Sequence, residues 1–195
     1  MNKAVFLDRD GTLIQDRGYI CDFSEIGFFP FAAAAVRAMN RAGYLVIVVS
    51  NQSAVARGIC SEAQIIDLHR QLQSHFKKRQ AAIAAFYYCP FLADGTVAAY
   101  RRDSPLRKPA PGMLLQAARD FNLELPRCIM VGDKVDDIEA GKRAGCLTVL
   151  VRTGLGLASE VSLAGTGSGP DHTADDLMGA SRIIMALSPA GVERH

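Results

Sequence analysis

Residues 4–12 read AVFLDRDGT, four apolar residues followed by two aspartates that flank an arginine, and then a glycine. Four apolar residues in a row are typical of a strand buried on both faces of a parallel sheet. Asp8 and Asp10 follow at its carboxyl end, where like charges repel unless a divalent cation or separate catalytic roles use them. Gly11 allows a tight turn that folds backbone amides over a phosphate. An acidic pair alone would fit a polar turn, whereas DxDGT directly after an apolar strand is much more specific.

Apolar runs of this kind recur along the chain, and amphipathic stretches lie between them. We predict strands over residues 4–7, 45–49, 83–88, 129–131 and 147–151. We predict helices over residues 31–41, 62–80, 111–121 and 135–144, with Ser61 as an N-cap and Gly145 as a left-handed stop. This alternation indicates an α/β fold with a doubly wound, Rossmann-like parallel sheet, in which ligands bind beyond the carboxyl ends of the strands.

Length and composition indicate a single domain, which we assign to residues 1–188, followed by a loose tail over residues 189–195. Hydrophobic residues make up 49% of the chain and charged residues 22%, which excludes a disordered chain.

A net charge of +2 argues against a nucleic-acid or membrane partner. The longest apolar runs are too short to span a bilayer. The Gly- and Ser-rich stretch at 154–170 is predicted to be irregular and mobile.

The five cysteines are odd in number and include no CxxC pair. We therefore expect reduced thiols and a cytoplasmic protein, and acidic residues from position 8 onward leave no room for a signal-peptide core. Four cysteines are interpreted as small packing residues: Cys21, Cys60, Cys128 and Cys146. Three histidines have no partner at metal-ligand spacing and are interpreted as ordinary surface or core residues: His69, His75 and His172.

Three further segments place polar side chains next to predicted elements. SNQS at 50–53 offers a hydroxyl and backbone amides for phosphate oxygens, although by itself a loop or helix cap is the simpler interpretation. RKP at 107–109 brings a cation to a helix start, where it can neutralise phosphate, although basic residues near loops are common. GDKVDD at 132–137 supplies carboxylates that suit Mg²⁺, and Asp133 can also cap the helix that follows.

Taken in order, these four segments resemble the four motifs of the haloacid dehalogenase superfamily of phosphotransferases, over roughly residues 5–153. Longer stretches resemble one family within it, the D-glycero-D-manno-heptose-1,7-bisphosphate 7-phosphatases, and share many motifs with the related histidinol-phosphate phosphatase domain. They are FLDRDGTL at 6–13, DRGY at 16–19, VVSNQSAVARG at 48–58, FYYCP at 86–90, RKPAPGML at 107–114, MVGDKVDDIEAGKRAG at 130–145 and VLVRTG at 149–154. The family is cytoplasmic and serves the synthesis of ADP-heptose for lipopolysaccharide.

The resemblance implies a magnesium-dependent phosphatase that forms an aspartyl-phosphate on Asp8. It implies that Asp10 is the general acid and base and offers its backbone carbonyl to Mg²⁺. Asp133 is implied as the second carboxylate ligand of Mg²⁺. Ser50 and Lys108 are implied to hold the transferring phosphoryl group. An acid at position 10 also favours a phosphatase over the ATPases of the superfamily, which typically carry threonine there.

The resemblance further implies a substrate-contacting set and a supporting carboxylate, Asp137. The substrate contacts would come from Asp16, Arg17, Gly18, Tyr19, Asn51, Gln52, Ser53, Arg107 and Lys134. Only 39 residues separate Asp10 from Ser50, and 57 separate Ser50 from Lys108, most of them used by the sheet's own elements. No cap domain fits into these connections, so we expect an open site in which loops select the substrate.

One departure from the family concerns its zinc-binding loop, which usually has a Cys-x-His pair and a later Cys-x-Cys pair before RKP. Here CPF at 89–91 keeps one cysteine, and SPL at 104–106 keeps none. Since a structural zinc site needs four ligands, we predict that this chain binds no structural zinc. The loop must then be held by packing, with Phe91 and Leu106 as candidates, or remain mobile. Its position just before Arg107 leaves the substrate's identity open.

Other functions remain open from the sequence. The chain could act on histidinol phosphate or another small sugar phosphate. A phosphoacceptor receiver module also combines a parallel sheet, an acid cluster and a lysine, but it would not turn over an aryl phosphate. An inactive relative that only binds sugar phosphate is disfavoured because all four motifs are present. We expect a monomer that uses Mg²⁺ and a small phosphorylated sugar, with no nucleic-acid or membrane partner.

Overall fold

Six strands form one parallel sheet in the computed structural model, which describes residues 2–187. The strands are β1 (Ala4–Leu7), β2 (Leu45–Asn51), β3 (Ala85–Cys89), β4 (Ile129–Gly132), β5 (Leu147–Val151) and β6 (His172–Ala174). Their order in the sheet is β3-β2-β1-β4-β5-β6, and every neighbouring pair is parallel. The predicted doubly wound parallel sheet is confirmed. The predicted tail at 189–195 lies outside the described residues.

Helices cover both faces of this sheet. They are α1 (Ala32–Arg41), α2 (Glu62–Lys77), α3 (Gly112–Asp120), α4 (Val135–Ala144), α5 (Gly156–Leu163) and α6 (Leu177–Leu187). Because successive strand side chains point to opposite faces, Val5 and Leu7 pack with residues of α1, α2 and α6. Ala4 and Phe6 pack on the other face with residues of α3 and α4. β1 is thus buried on both sides, as its apolar sequence predicts.

Two predicted helix boundaries are confirmed by their hydrogen bonds and backbone angles. Ser61 caps α2, since the Gln64 backbone N–H donates to Ser61 Oγ at 3.2 Å and the Ser61 N–H donates to Gln64 Oε1 at 2.8 Å. Gly145 ends α4 in the left-handed region, with φ of 78°. α2 is shorter than predicted, because residues 78–80 form a turn instead of helix. No helix among residues 2–187 is long and apolar enough to cross a membrane.

The prediction of an irregular segment at 154–170 is wrong for its first half, where α5 forms. Two hydrogen bonds anchor α5 to the loop after β4. The Leu155 N–H donates to Asp133 Oδ2 at 2.8 Å, and Ser159 Oγ donates to the Asp133 carbonyl at 2.8 Å. β6 and α6 were not predicted either. Tertiary contacts override the weak local preference of a Gly- and Ser-rich sequence here.

The expectation of reduced thiols is wrong for one pair. Cys21 and Cys60 form a disulfide with a Cα–Cα distance of 5.5 Å, across 39 positions of sequence. Cys89, Cys128 and Cys146 are free and buried, as small packing residues would be. The disulfide joins the loop after β1 to the loop after β2, and only the fold brings these two cysteines together.

Candidate active site

The carboxylate of Asp8 lies in a buried ion cluster directly after β1. Lys108 Nζ donates to Asp8 Oδ1 at 2.7 Å and to the Val49 carbonyl at 2.7 Å, and it lies 2.6 Å from Asp137 Oδ1. Asp8, Lys108 and Asp137 are at most 4% exposed. The ammonium therefore has two hydrogen-bond acceptors and a carboxylate ion-pair partner in Asp137, and such partners make a buried charge tolerable.

The electrostatics of this cluster keep both Asp8 and Lys108 charged. Burial raises the pKa of Asp8, but the charges of Lys108 and Lys134, with hydrogen bonds from the Lys108 side chain and the Arg9 backbone, lower it more, so its pKa lies below the ordinary value. Burial lowers the pKa of Lys108, but the carboxylates of Asp137 and Asp8 raise it more, so its pKa lies above the ordinary value. An ionised carboxylate held at one oxygen leaves the other oxygen to act as a nucleophile.

Asp133 supplies the second carboxylate, and its surroundings fit a divalent cation. One ligand oxygen each from Asp8, Asp133 and Asp137 lies within 4.8 Å of the other two. The Leu155 N–H occupies Asp133 Oδ2, whereas Asp133 Oδ1 is buried without a hydrogen-bond partner. Burial, with the charge of Asp8, raises the pKa of Asp133 to about 8. A buried, unpaired carboxylate oxygen beside a second carboxylate is the ligand type that Mg²⁺ prefers.

Glycine makes room for that carboxylate. A Cβ atom at Gly11, where φ is +88°, would lie 2.2 Å from Asp133 Oδ2. A Cβ atom at Gly154 would meet the same oxygen at 2.2 Å. Thr153 Oγ1 donates to the Gly11 carbonyl at 2.6 Å and joins the two glycine turns. The glycine of DxDGT is thus required both by its backbone angle and by the close approach of Asp133.

Asp137 supports the site from behind, as the resemblance implies. Its Oδ1 faces Lys108, and its Oδ2 accepts from the Lys134 N–H at 3.0 Å at the start of α4. Both oxygens therefore have protein partners. The burial of the group raises its pKa to about 6, against the opposing effect of Lys108. Of the three acids, Asp137 is the one least free to ligate a cation.

A cleft of about 300 Å³ opens in front of the cluster. Its lining includes all but one of the nine substrate-contacting residues that the resemblance implies: Asp16, Gly18, Tyr19, Asn51, Gln52, Ser53, Arg107 and Lys134. Arg17 is the exception, and its Nη2 donates to Gln15 Oε1 at 3.0 Å. Asp136, Ala54 and Arg9 also line the cleft, although no substrate contact was predicted for them.

Two of these residues also stabilise the site itself. Asn51 Nδ2 donates to the Lys108 carbonyl at 2.9 Å, and the Lys108 N–H donates to Asn51 Oδ1 at 3.0 Å. Lys134 Nζ lies 3.4 Å from the Asp10 carbonyl and 3.4 Å from Asp16 Oδ2. Asn51 thereby fixes the backbone of Lys108, and Lys134 bridges the nucleophile loop to Asp16.

Asp10 lines the cleft, and its carboxylate is bonded to residues other than Lys108. Arg9 Nη2 pairs with Asp10 Oδ2 at 2.9 Å, and Gln52 Nε2 donates to the same oxygen at 3.3 Å. Gln52 Nε2 also donates to Ser50 Oγ at 2.7 Å. Ser50, 1% exposed, is thus held beside the buried cluster.

The segment that replaces the zinc loop is held by side-chain contacts. Phe91 and Leu106 pack against the core on the α3 and α4 face, which confirms the packing expectation. Arg102 lies over the Phe91 ring, 3.8 Å from its centroid. The hydroxyls of Tyr88 and Tyr100 donate to the two carboxylate oxygens of Glu62 at 3.0 and 2.8 Å. Among residues 2–187, the acids at 8, 133 and 137 form the one cluster of three or more potential metal ligands, and the absence of zinc stays a prediction.

A parallel sheet with a buried aspartate, a lysine and paired acids at its carboxyl edge defines a phosphatase of the haloacid dehalogenase superfamily. Residues 105–180 match the family model described as HAD-hydrolase-like. The D-glycero-β-D-manno-heptose-1,7-bisphosphate 7-phosphatase of Haemophilus influenzae is 38% identical over 96% of this chain and 99% of its own length. The chain belongs to that phosphatase family.

Further relatives agree with this assignment. The D-glycero-D-manno-heptose-1,7-bisphosphate 7-phosphatase of Thermosynechococcus vestitus is 42% identical over 91% of this chain and 92% of its own length. The crystal structure of D,D-heptose 1,7-bisphosphate phosphatase from B. bronchiseptica, complexed with magnesium and phosphate, is 28% identical. It superposes with a TM-score of 0.80 and covers 95% of this chain and 99% of that one. The chain is therefore a phosphoric monoester hydrolase with a haloacid dehalogenase fold.

Proposed function

We propose that this enzyme removes the 7-phosphate of D-glycero-D-manno-heptose 1,7-bisphosphate, in the synthesis of ADP-heptose for the lipopolysaccharide core. The observation that carries this proposal is the buried Asp8–Lys108–Asp137 cluster at the base of a cleft without a cap. Asp10, two residues after the nucleophile, lines the cleft together with the cations Arg107 and Lys134 and with polar loop residues. These groups suit a second phosphate or the hydroxyls of a sugar.

The reaction we assign to the site has two steps. Asp8 attacks the phosphorus atom in line, an acyl-phosphate bond forms, and the bond to the sugar oxygen breaks as Asp10 protonates that oxygen. Asp10 then takes a proton from water, which attacks the acyl phosphate and releases inorganic phosphate and free Asp8. Lys108 and Ser50 hold the phosphoryl oxygens in both steps. The carboxylates of Asp8 and Asp133 and the Asp10 carbonyl would hold Mg²⁺, which neutralises phosphate charge when bound.

Substrate choice then depends on the loops that surround the cleft. Arg107 Nη1 donates to the Phe91 carbonyl at 3.4 Å, so the segment at 89–106 sets the position of this cation. Tyr19, which is 51% exposed, and Lys134 complete the outer wall. Because this segment lacks the family's zinc ligands, we propose that the phosphatase chemistry is kept while selectivity for the distal phosphate is looser or shifted.

We also propose that the protein is a cytoplasmic monomer. The resemblance to a cytoplasmic family supports the location. The net charge of +2 supports a small-molecule substrate over a polyanion. Size-exclusion chromatography with light scattering would test the oligomeric state.

The deciding experiment measures phosphate release from both anomers of heptose 1,7-bisphosphate, from histidinol phosphate and from p-nitrophenyl phosphate. With Mg²⁺ we expect activity on every substrate except histidinol phosphate, and the highest kcat/KM for a heptose bisphosphate. In EDTA we expect no activity. Asp8→Asn serves as the control for contaminating phosphatases. A higher kcat/KM for histidinol phosphate would replace the proposed substrate, and no turnover of any ester would leave only a binding role.

A further inference from the structure

Arg9 is a buried cation next to the nucleophile. It lies between the two aspartates of DxDGT, and it is 1% exposed. Burying a guanidinium is costly unless its donors are matched. Arg9 Nε lies 3.1 Å from both Asp10 Oδ1 and Asp10 Oδ2, and Nη2 lies 2.9 Å from Oδ2. The fork of the guanidinium therefore holds the Asp10 carboxylate from two directions.

The third nitrogen of that guanidinium points at a histidine from a distant part of the chain. Arg9 Nη1 lies 3.2 Å from His69 Nε2, 60 residues away on α2. The ring of His69 is stacked on Phe86, with centroids 4.8 Å apart and planes 17° apart, and its edge meets Tyr88 at 5.5 Å. Two aromatic neighbours and burial thus fix the direction of the His69 lone pair.

The protonation state of His69 follows from its partner. Arginine has donors only, so the contact requires an unprotonated Nε2 that accepts from Nη1. Burial, together with the charge of Arg9, lowers the pKa of His69 to about 3. His69 is thus neutral, with its proton on Nδ1, whenever the enzyme works near neutral pH.

Asp10 is held on its other side by the phosphate-binding loop. Gln52 Nε2 donates to Asp10 Oδ2 at 3.3 Å and to Ser50 Oγ at 2.7 Å. The Asp10 side chain itself is 13% exposed, at the cleft. The chain of contacts from His69 through Arg9 to Asp10 therefore ends on a carboxylate that lines the cleft.

We propose that His69, acting through Arg9, is a positioning residue that orients the carboxylate of Asp10 for proton transfer. This rests on the proposed acid and base role of Asp10. Proton transfer needs the carboxylate within hydrogen-bond reach of the leaving oxygen, and an error of about 1 Å can cost on the order of 100-fold in rate. His69 anchors one end of the guanidinium, so that the other end cannot swing away from Asp10.

The test removes the hydrogen-bond acceptor of His69 in one variant and its aromatic ring in another. His69→Phe keeps the aromatic stack on Phe86 and removes the acceptor. His69→Gln loses the ring but keeps an acceptor oxygen at similar reach. His75→Phe, on the same helix and in contact with Phe23 and Phe28, is the matched control. Each variant is assayed on a sugar phosphate and on p-nitrophenyl phosphate, whose leaving group needs little protonation.

We expect His69→Phe to lower kcat on the sugar phosphate about 10-fold and on p-nitrophenyl phosphate less than about 3-fold, with KM little changed. His69→Gln should keep most of the parent's kcat, and His75→Phe should match the parent. A purely structural role predicts the reverse, with Phe tolerated and Gln damaging. Full activity of His69→Phe, or equal losses on both substrates, would overturn the proposal.

Arg9→Lys decides the matter if His69→Phe does not fold. The lysine keeps the charge but cannot reach Asp10 and His69 together, so the same leaving-group-dependent loss is expected, and a loss independent of leaving group counts against positioning. Asp10→Asn is measured beside it. If Asp10→Asn itself affects both substrates equally, the proposed role of Asp10 fails. If the loss of activity in Asp10→Asn depends on the leaving group but the losses in the Arg9 and His69 variants do not, only the positioning role fails.

Discussion

The base of the cleft and its rim are stabilised by different forces. At the base, Lys108 is matched to two carboxylates and a carbonyl, all buried, and burial makes every charge depend on its partner. At the rim, Arg107 donates to the Phe91 carbonyl of the 89–106 segment. That segment is held by aromatic packing, by one cation–π contact and by the Tyr100 hydroxyl on Glu62. Changes at the base should therefore abolish catalysis, whereas changes at the rim should alter which substrate is preferred.

The largest effect is expected for the nucleophile. Asp8→Asn should lower turnover of every substrate by at least about 10⁴-fold, because no acyl phosphate can form. The fold should remain, since Asn is close in shape and the Lys108 ammonium keeps Asp137. Turnover is measured with p-nitrophenyl phosphate, and the stability of the fold is measured by thermal unfolding. Appreciable steady-state turnover by the pure variant would contradict the assignment of Asp8.

Removal of the buried lysine should reduce both activity and stability. Lys108→Met removes the buried cation between the carboxylates of Asp8 and Asp137, which should cost about 3–5 kcal/mol in the free energy of unfolding. Loss of the cation should lower kcat on the order of 100-fold or more. Urea unfolding and initial rates give the two values. The double variant Lys108→Met with Asp137→Asn should recover part of the stability and none of the activity. If Lys108→Met alone is as stable as the parent, the buried ion pairs do not stabilise the fold.

A much smaller effect is expected at the rim. Glu62→Gln keeps the shape of the side chain but weakens its hold on Tyr88 and Tyr100, so the 89–106 segment and Arg107 should be less well placed. We expect kcat/KM for heptose bisphosphate to fall about 5-fold while p-nitrophenyl phosphate is unaffected, since only the distal contacts change. Asp67→Asn, on the same helix and hydrogen-bonded to Arg70 and Gln71 of that helix, is the control. Equal losses on both substrates would show that rim and base are not separable.

No effect at all is expected from zinc. Protein purified without chelator should contain far less than one equivalent by elemental analysis, because Phe91, Ser104 and Leu106 stand where three of the four ligands would be. After EDTA treatment, Mg²⁺ alone should restore full activity. A finding of nearly one equivalent of zinc per chain, lost in Cys89→Ala, would contradict this prediction. The rim would then be held by a metal and not by side-chain packing.

Periodic segments were predicted well, and aperiodic ones were not. β1, β5 and α4 have their predicted bounds, because apolar runs and a glycine stop mark them locally. α5 was missed because its hold on Asp133 comes from the fold and not from its own Gly- and Ser-rich sequence. The Cys21–Cys60 pair was missed for the same reason, since nothing local marks two cysteines 39 positions apart as neighbours.

The sequence alone predicted a doubly wound parallel sheet and the class of reaction, because apolar runs mark the strands and the motifs after them resemble those of the phosphatase superfamily. The catalytic roles of single residues stay predictions. Only the tertiary structure decided how the charges are partnered. It placed His69 against Arg9 and turned Asn51 onto the backbone of Lys108. Such contacts depend on distances of a few ångströms between residues that are tens of positions apart, and the energy of a buried charge depends on those distances.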